Sequence, residues 1–264
     1  MRYIALVALL TGCSAAQQEA TLTLATTTST RDSGLLDVLV PMFEKETGIK
    51  VKVVAVGSGQ ALELGRRGDA DVLLTHAPNA EEQFMAEGHG EQRRGVMYND
   101  FVLVGPETDP AGVKDQTSIT EAFRRIARRE SPFVSRGDES GTHMKEKKVW
   151  KEAGIEPQGK WCIQAGTGMA EVLRMASEKG AYTLADRGTF LAQREGLDLV
   201  VLSEGDTLLR NPYAVIVVSS EKLPGINAQA ARRFSEFLVS PKTQRVIGEF
   251  GVEQFGQPLF FPTP

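Results

Sequence analysis

The feature that most constrains this chain is the order of its segments. Short strand-like runs each pass through a hydroxyl- or glycine-rich stretch into a segment with helical periodicity, and then the order repeats. Thr21-Leu22-Thr23-Leu24 alternates polar and apolar residues, as a strand with one buried face does. Thr26-Thr27-Thr28-Ser29 follows as a loop, and Leu35, Leu36, Leu39, Met42 and Phe43 then share one helical face that ends at Gly48. Pro41 falls inside that face and predicts a kink or a break there. Ile49 to Val53 reads as a second strand, Gly57-Ser58-Gly59 as its loop, and Gln60 to Arg67 as a short helix closed by Gly68. Asp71 to Leu74 reads as a third strand that leads into Thr75-His76-Ala77-Pro78. A β-α-β-α-β order predicts a mostly parallel sheet with right-handed crossovers. The loops after parallel strands leave at one sheet edge, where α/β proteins bind their ligands.

A second set follows. Phe133-Val134 leads into the Arg136–Thr142 loop, and Trp161 to Gln164 leads into Gly166-Thr167-Gly168. The next helix carries Met169, Val172, Leu173 and Ala176 on one face. Ala181 to Leu184 and Leu197 to Val201 read as further strands. The chain of 264 residues is long enough for two lobes with separate cores. The expected organisation is a signal segment at 1–19, a first lobe at 20–100, a second lobe at 101–208 and a return to the first lobe at 209–264. Met97 to Pro106 and Leu209 to Val218 are the extended runs expected to cross between lobes. The tail should form helices after Asn227 and after Ser240-Pro241, packed on the first lobe.

Composition narrows the partners. The formal net charge of −4 argues against nucleic acid. It leaves a small anion open, because helix termini and hydrogen-bond donors act locally while distant surface charge is screened. His76, His89 and His143 are scattered without ligand spacing, so no metal site and no cofactor are expected. At the N-terminus, Met1-Arg2 and the apolar Tyr3–Leu10 run precede Leu10-Thr11-Gly12-Cys13, which resembles a bacterial lipoprotein cleavage motif. The run falls short of the ~20 residues needed to span a bilayer. The expectation is a periplasmic or membrane-anchored extracytoplasmic protein, with Cys13 as the acylated residue. A plain secretory cut near Ala15-Ala16 is the alternative. Cys162, in the apolar run Trp161-Cys162-Ile163, is expected to be a buried small hydrophobe.

Three stretches supply the same chemistry. Thr26–Ser29 is rich in hydroxyls, Gly57-Ser58-Gly59 combines glycine and serine, and Ser135 to His143 sets an arginine beside a helix start. A helix start exposes unpaired N–H groups and the positive end of the macrodipole. Arg136 with Ser140, Gly141 and Thr142 is therefore suited to a tetrahedral oxyanion. Each stretch alone also reads as an ordinary turn or cap; their combination carries the inference. No Gly-x-Gly-x-x-Gly or Gly-x-x-x-x-Gly-Lys-Ser/Thr occurs, which argues against a nucleotide-binding enzyme. A different class, a secreted esterase, would use Ser140 as nucleophile and His143 as base. It lacks a true nucleophile elbow and an evident orienting acid.

Taken together, these blocks resemble the tungstate-binding family among the periplasmic solute-binding proteins of ABC importers. The blocks are Thr26–Ser29, Val56–Leu62, Leu74–Pro78, Ser135–His143 and Asn211-Pro212-Tyr213. The resemblance implies a two-lobed α/β periplasmic binding protein of type II with its ligand cleft between the lobes. It implies no enzyme activity, tungstate as ligand and an ABC permease as partner. Molybdate, sulfate and phosphate stay open as alternative ligands. Phosphate-binding relatives share the Arg136, Asp138, Ser140, Gly141, Thr142 pattern but carry an aspartate where this chain has His76. An imidazole can donate to an anion that carries no proton, whereas a carboxylate would repel one. The expected ligand contacts are Thr27, Thr28, Ser29, Ser58, Arg136, Ser140, Gly141 and Thr142. Behind them, His76, Asp138 and His143 are expected as supporting residues.

Overall fold

The computed structural model describes residues 21–114, 116, 118–138 and 140–263. Cys13 and the whole leader lie outside the described residues. In chain order the elements are β1 (Thr21–Thr27), α1 (Thr28–Asp32), α2 (Leu35–Thr47), β2 (Lys50–Val56), α3 (Ser58–Arg67), β3 (Val72–Thr75) and α4 (Pro78–Ala86). Next come β4 (Gly90–Gly105), α5 (Ile119–Arg128), β5 (Phe133–Ser135), α6 (Gly141–Glu152), β6 (Cys162–Gln164), α7 (Met169–Lys179), β7 (Thr183–Asp186), α8 (Arg187–Gln193) and β8 (Val200–Ser203). A short 3₁₀ turn precedes β9 (Arg210–Val218), and α9 (Ala228–Leu238), α10 (Pro241–Glu249), α11 (Val252–Phe255) and β10 (Phe261–Pro262) complete the chain.

β1 pairs in parallel with β2 and with β3, as the β-α-β-α-β order requires. β9 then adds antiparallel to β3, and β4 antiparallel to β9. β4 goes on to pair antiparallel with β7 and β8, while β5 and β6 pair in parallel. The large sheet is therefore mixed rather than mostly parallel, while the β5–β6 pair is parallel. The physical reason is that β9 runs against both of its neighbours, β3 and β4, and that β4 belongs to both halves. Its 16 residues pair with β9 over Gly90–Asp100 and with β7 and β8 over Phe101–Gly105.

Side-chain alternation sorts the cores. On β1 and β9, Leu22, Leu24, Val215 and Val217 face a core with Phe43 of α2 and Phe234, Phe237 and Leu238 of α9. Ala25, Ile216 and Val218 face the other core, with Leu62, Leu73 and Phe84. In the second half, Phe101 and Leu103 of β4 join Phe123, Phe133, Trp150 and Leu184, while Val102 and Val104 join Val134, Val172, Leu173 and Phe190. The tail helices thus close the core over β1 and α2. α2 runs unbroken from Leu35 to Thr47 with Pro41 inside it.

At the middle of β4, the buried Asp100 accepts two bonds from the Arg187 guanidinium, at 2.7 and 2.6 Å. Arg187 also donates to Glu204 at 2.6 Å and to Gln257 at 3.1 Å. One cation therefore ties β4 to α8 and to the C-terminal tail. Cys162 is half-buried rather than buried, because β6 lies at an edge and pairs only with β5 among the described residues. Burial and the nearby Glu146 push its thiol up to about 11, so it is no nucleophile at neutral pH.

Candidate oxyanion site

The parallel register sets Thr27 beside Val56 and Thr26 beside Leu74, so β1, β2 and β3 end at one sheet edge. No loop intervenes after β1: the strand passes directly into α1, with Thr27 as the cap. Thr27 is buried, and its Oγ1 accepts the Thr30 N–H at 3.3 Å while also bonding the Thr30 and Ser29 hydroxyls at 2.6 and 3.1 Å. Capping thus occupies Thr27, while Thr28 and Ser29 are exposed at the edge. Ser58 is half-buried at the first position of α3, two residues earlier than periodicity suggested.

His76 follows β3. Its Nε2 lies 3.4 Å from Ser29 Oγ and its Nδ1 3.2 Å from Asn211 Oδ1. The Tyr213 ring packs against it with centroids 4.7 Å apart. These contacts join the ends of β1 and β3 to the start of β9. Burial is the main cause that holds the His76 pKa below its ordinary value. Asn211 and Glu81 oppose the shift, and the Lys145 cation adds to it.

In the second half, β5 ends at Ser135 and the chain turns through Gly137, whose φ of +61° lies in the left-handed region. A Cβ at Gly137 would come within 2.9 Å of Gln164 Oε1 and 3.3 Å of the Gly166 N. Two backbone bonds, Ala165 N–H to Ser135 O and Gly166 N–H to Arg136 O, each 2.9 Å, staple this turn to the chain after β6. The Arg136 side chain is 11% exposed and pairs with Asp138. Its Nε is buried and has no hydrogen-bond partner among the described residues. Burial works against ionisation of Asp138, but bonds from Ser140 and Arg136 outweigh it and hold the carboxyl below its ordinary range. Asp138 Oδ1 accepts the Ser140 N–H at 3.1 Å, so the carboxylate braces both the guanidinium and the loop.

Ser140 caps α6, its Oγ accepting the His143 N–H at 3.3 Å. In the first turn, the Gly141 and Thr142 N–H groups have no acceptor within the helix. Glu146, one turn further on, is buried and its Oε2 accepts the Arg136 N–H at 3.1 Å. Burial pushes this carboxyl up to about 7, against the pull of Ser135, the Arg136 amide and Trp150.

Lys145 was not among the residues the sequence pointed to. It sits three positions after Thr142, hence on the same face of α6. Its Nζ donates to Leu208 O at 3.0 Å and Arg210 O at 2.8 Å, and lies over the Phe101 ring. Burial and Lys148 lower its pKa to about 8. Its amine bonds the Arg210 carbonyl, one residue before the Asn211 that touches His76, so this face of α6 lies toward the Ser29–His76 edge.

The model of the PBP superfamily domain matches residues 14–242. The tungstate-binding protein TupA of Peptoclostridium acidaminophilum is 51% identical over 96% of this chain and 93% of its own length. The chain belongs to the TupA family of tungstate-binding proteins. Among solved structures, TupA from Desulfovibrio alaskensis G20 superposes with a TM-score of 0.87 at 44% identity, covering 92% of this chain and 99% of that one. A tungstate ABC transporter structure from Geobacter sulfurreducens gives 0.72 at 46% identity over 87% and 98% of the two chains. The fold is thus that of a type II periplasmic binding protein. These TupA relatives are binding and transport proteins, not enzymes. Among the described residues, no helix is long and apolar enough to cross a membrane.

Proposed function

We propose that this chain captures tungstate outside the cytoplasm and delivers it to an ABC permease. The single observation that carries this reading is the buried Arg136 beside the α6 start, whose Nε has no hydrogen-bond partner among the described residues. A buried guanidinium with an unspent donor is costly unless an anion completes it. The names of the relatives support tungstate as that anion.

In this reading, Thr28, Ser29 and Ser58 donate from the first lobe, with Thr27 holding the turn. Arg136, Ser140, Gly141 and Thr142 donate from the second, with Asp138 and His143 as support. The lobes, at 20–100 with 209–264 and at 101–208, close on the ligand and exclude water. His76 in place of a carboxylate favours an anion that carries no proton. Cys13 is the proposed lipid anchor, which keeps the protein beside its permease. No nucleic acid and no cofactor take part.

Calorimetric titration of the mature protein with tungstate, molybdate, sulfate and phosphate tests the reading. Tungstate should bind tightest and phosphate weakly. Equal affinities for all four anions would reduce the site to a generic anion cradle.

A further inference from the structure

A chain of hydrogen bonds fixes the protonation pattern at the β3 exit. Asn211 Nδ2 donates to Asn99 Oδ1 at 2.8 Å, which turns the Asn211 amide oxygen toward His76. His76 Nδ1 lies 3.2 Å from that oxygen and so carries the ring proton. In the neutral ring Nε2 is then a lone pair, and the Ser29 hydroxyl 3.4 Å away is placed to donate to it. Ser29 has one proton to give, and His76 Nε2 at 3.4 Å and Thr27 Oγ1 at 3.1 Å compete for it. What this edge offers a dianion in that state is lone pairs.

Several groups surround the ring. Asn211 and Tyr213 come from β9. Glu81 of α4 acts on the ring from a distance and is itself held by Thr75, the Ala77 N–H and Arg93. Lys145 of α6 contributes the opposing cation. With burial, this balance keeps the ring neutral. A dianion placed between the Ser29 edge and the Thr142 face of α6 would reverse it, since an adjacent negative charge favours the imidazolium.

We propose that capture of a fully deprotonated oxyanion is accompanied by uptake of one solvent proton at His76 Nε2, which changes the ring from acceptor to donor and frees the Ser29 hydroxyl for the anion. This rests on the oxyanion reading of the Ser29–Thr142 crevice given above. His76 is a positioning residue in this scheme: it acts on the anion through Ser29. Nδ1 keeps its bond to Asn211 throughout, and the new Nε2–H is the only proton added.

The test is calorimetry of the full chain with sodium tungstate at about pH 7, in buffers of different ionisation enthalpy. The slope of the observed enthalpy against the buffer enthalpy counts the protons taken up. The wild type should give a slope approaching one, and His76→Gln a slope near zero with weaker but measurable binding. Between about pH 6 and pH 8 the wild-type affinity should fall by up to about tenfold per pH unit, while that of the variant stays flat. Tight tungstate binding with zero slope would overturn the proposal and leave the oxyanion reading intact. An unchanged slope in His76→Gln would also overturn it, moving the proton to Glu146 or Lys145, which Glu146→Gln and Lys145→Met separate. No tungstate binding in any buffer would overturn both. Should His76→Gln fail to fold, the wild-type His76 Cε1–H resonance decides: it should move to the imidazolium position on saturation with tungstate, and an unmoved signal ends the proposal.

Discussion

Asp138 grips Arg136 by its terminal nitrogen and the Ser140 amide by its other oxygen, so one carboxylate aims the guanidinium and shapes the turn before α6. The arrangement leaves Arg136 Nε unspent in a buried position. Arg136→Ala should weaken tungstate binding by on the order of 2–5 kcal/mol, since a dianion would lose its charge partner. Calorimetry reads this directly, and unchanged affinity would remove Arg136 from the site.

Gly137 makes the turn possible by a route that leaves no room for a side chain. Its left-handed φ and the nearby Gln164 Oε1 and Gly166 N set both a conformational and a steric cost. Gly137→Ala should lose about 1–2 kcal/mol of stability in urea unfolding. It should also weaken the anion, because the Arg136 turn must shift. Full stability with full affinity would show that the turn tolerates a Cβ.

Glu146 predicts a pH dependence of stability. Its folded pKa, about 7, lies above the ordinary 4.5, so the folded state favours the protonated acid. The stability this supplies is complete below about pH 4.5 and is lost as the pH rises to about 7. Glu146→Gln keeps an oxygen for the Arg136 N–H and does not ionise. Relative to wild type, the variant should gain on the order of 2–3 kcal/mol between about pH 5 and pH 8. Parallel pH profiles for the two proteins would contradict this assignment.

Lys145 couples α6 to the far edge of the crevice. Lys145→Met removes a cation that disfavours His76⁺, so the His76 ring should titrate at higher pH. An NMR titration of the ring measures the shift. The same variant leaves the Leu208 and Arg210 carbonyls without the amine that now bonds them. It should therefore also cost about 1–3 kcal/mol in stability.

Much of this was legible in the residues. Leu22 and Leu24 alternate with threonines because β1 buries one face fully, and Gly48 and Gly68 close their helices in left-handed caps. Asn227 and Ser240 cap α9 and α10 as their residue types suggest. The first part of β4 was not legible, because Glu91, Gln92 and Arg93 hide its pattern behind side chains that pair with other elements. Lys145 escaped notice for a related reason. On the polar side of α6 a lysine reads as solvated, and only the tertiary approach of Leu208 and Arg210 turns it inward. Thr27 shows the reverse: its residue type fits anion binding, yet the strand runs straight into α1 and spends the hydroxyl on the cap.

β4 passes from one half of the molecule into the other as a single strand, its register shifting between Gly90 and Gln92, Gly95 and Met97, and Leu103 and Val104, and Arg187 clamps it at Asp100, next to where its partners change. Any swing of one half against the other must therefore twist a single bonded ribbon instead of pivoting on slack chain.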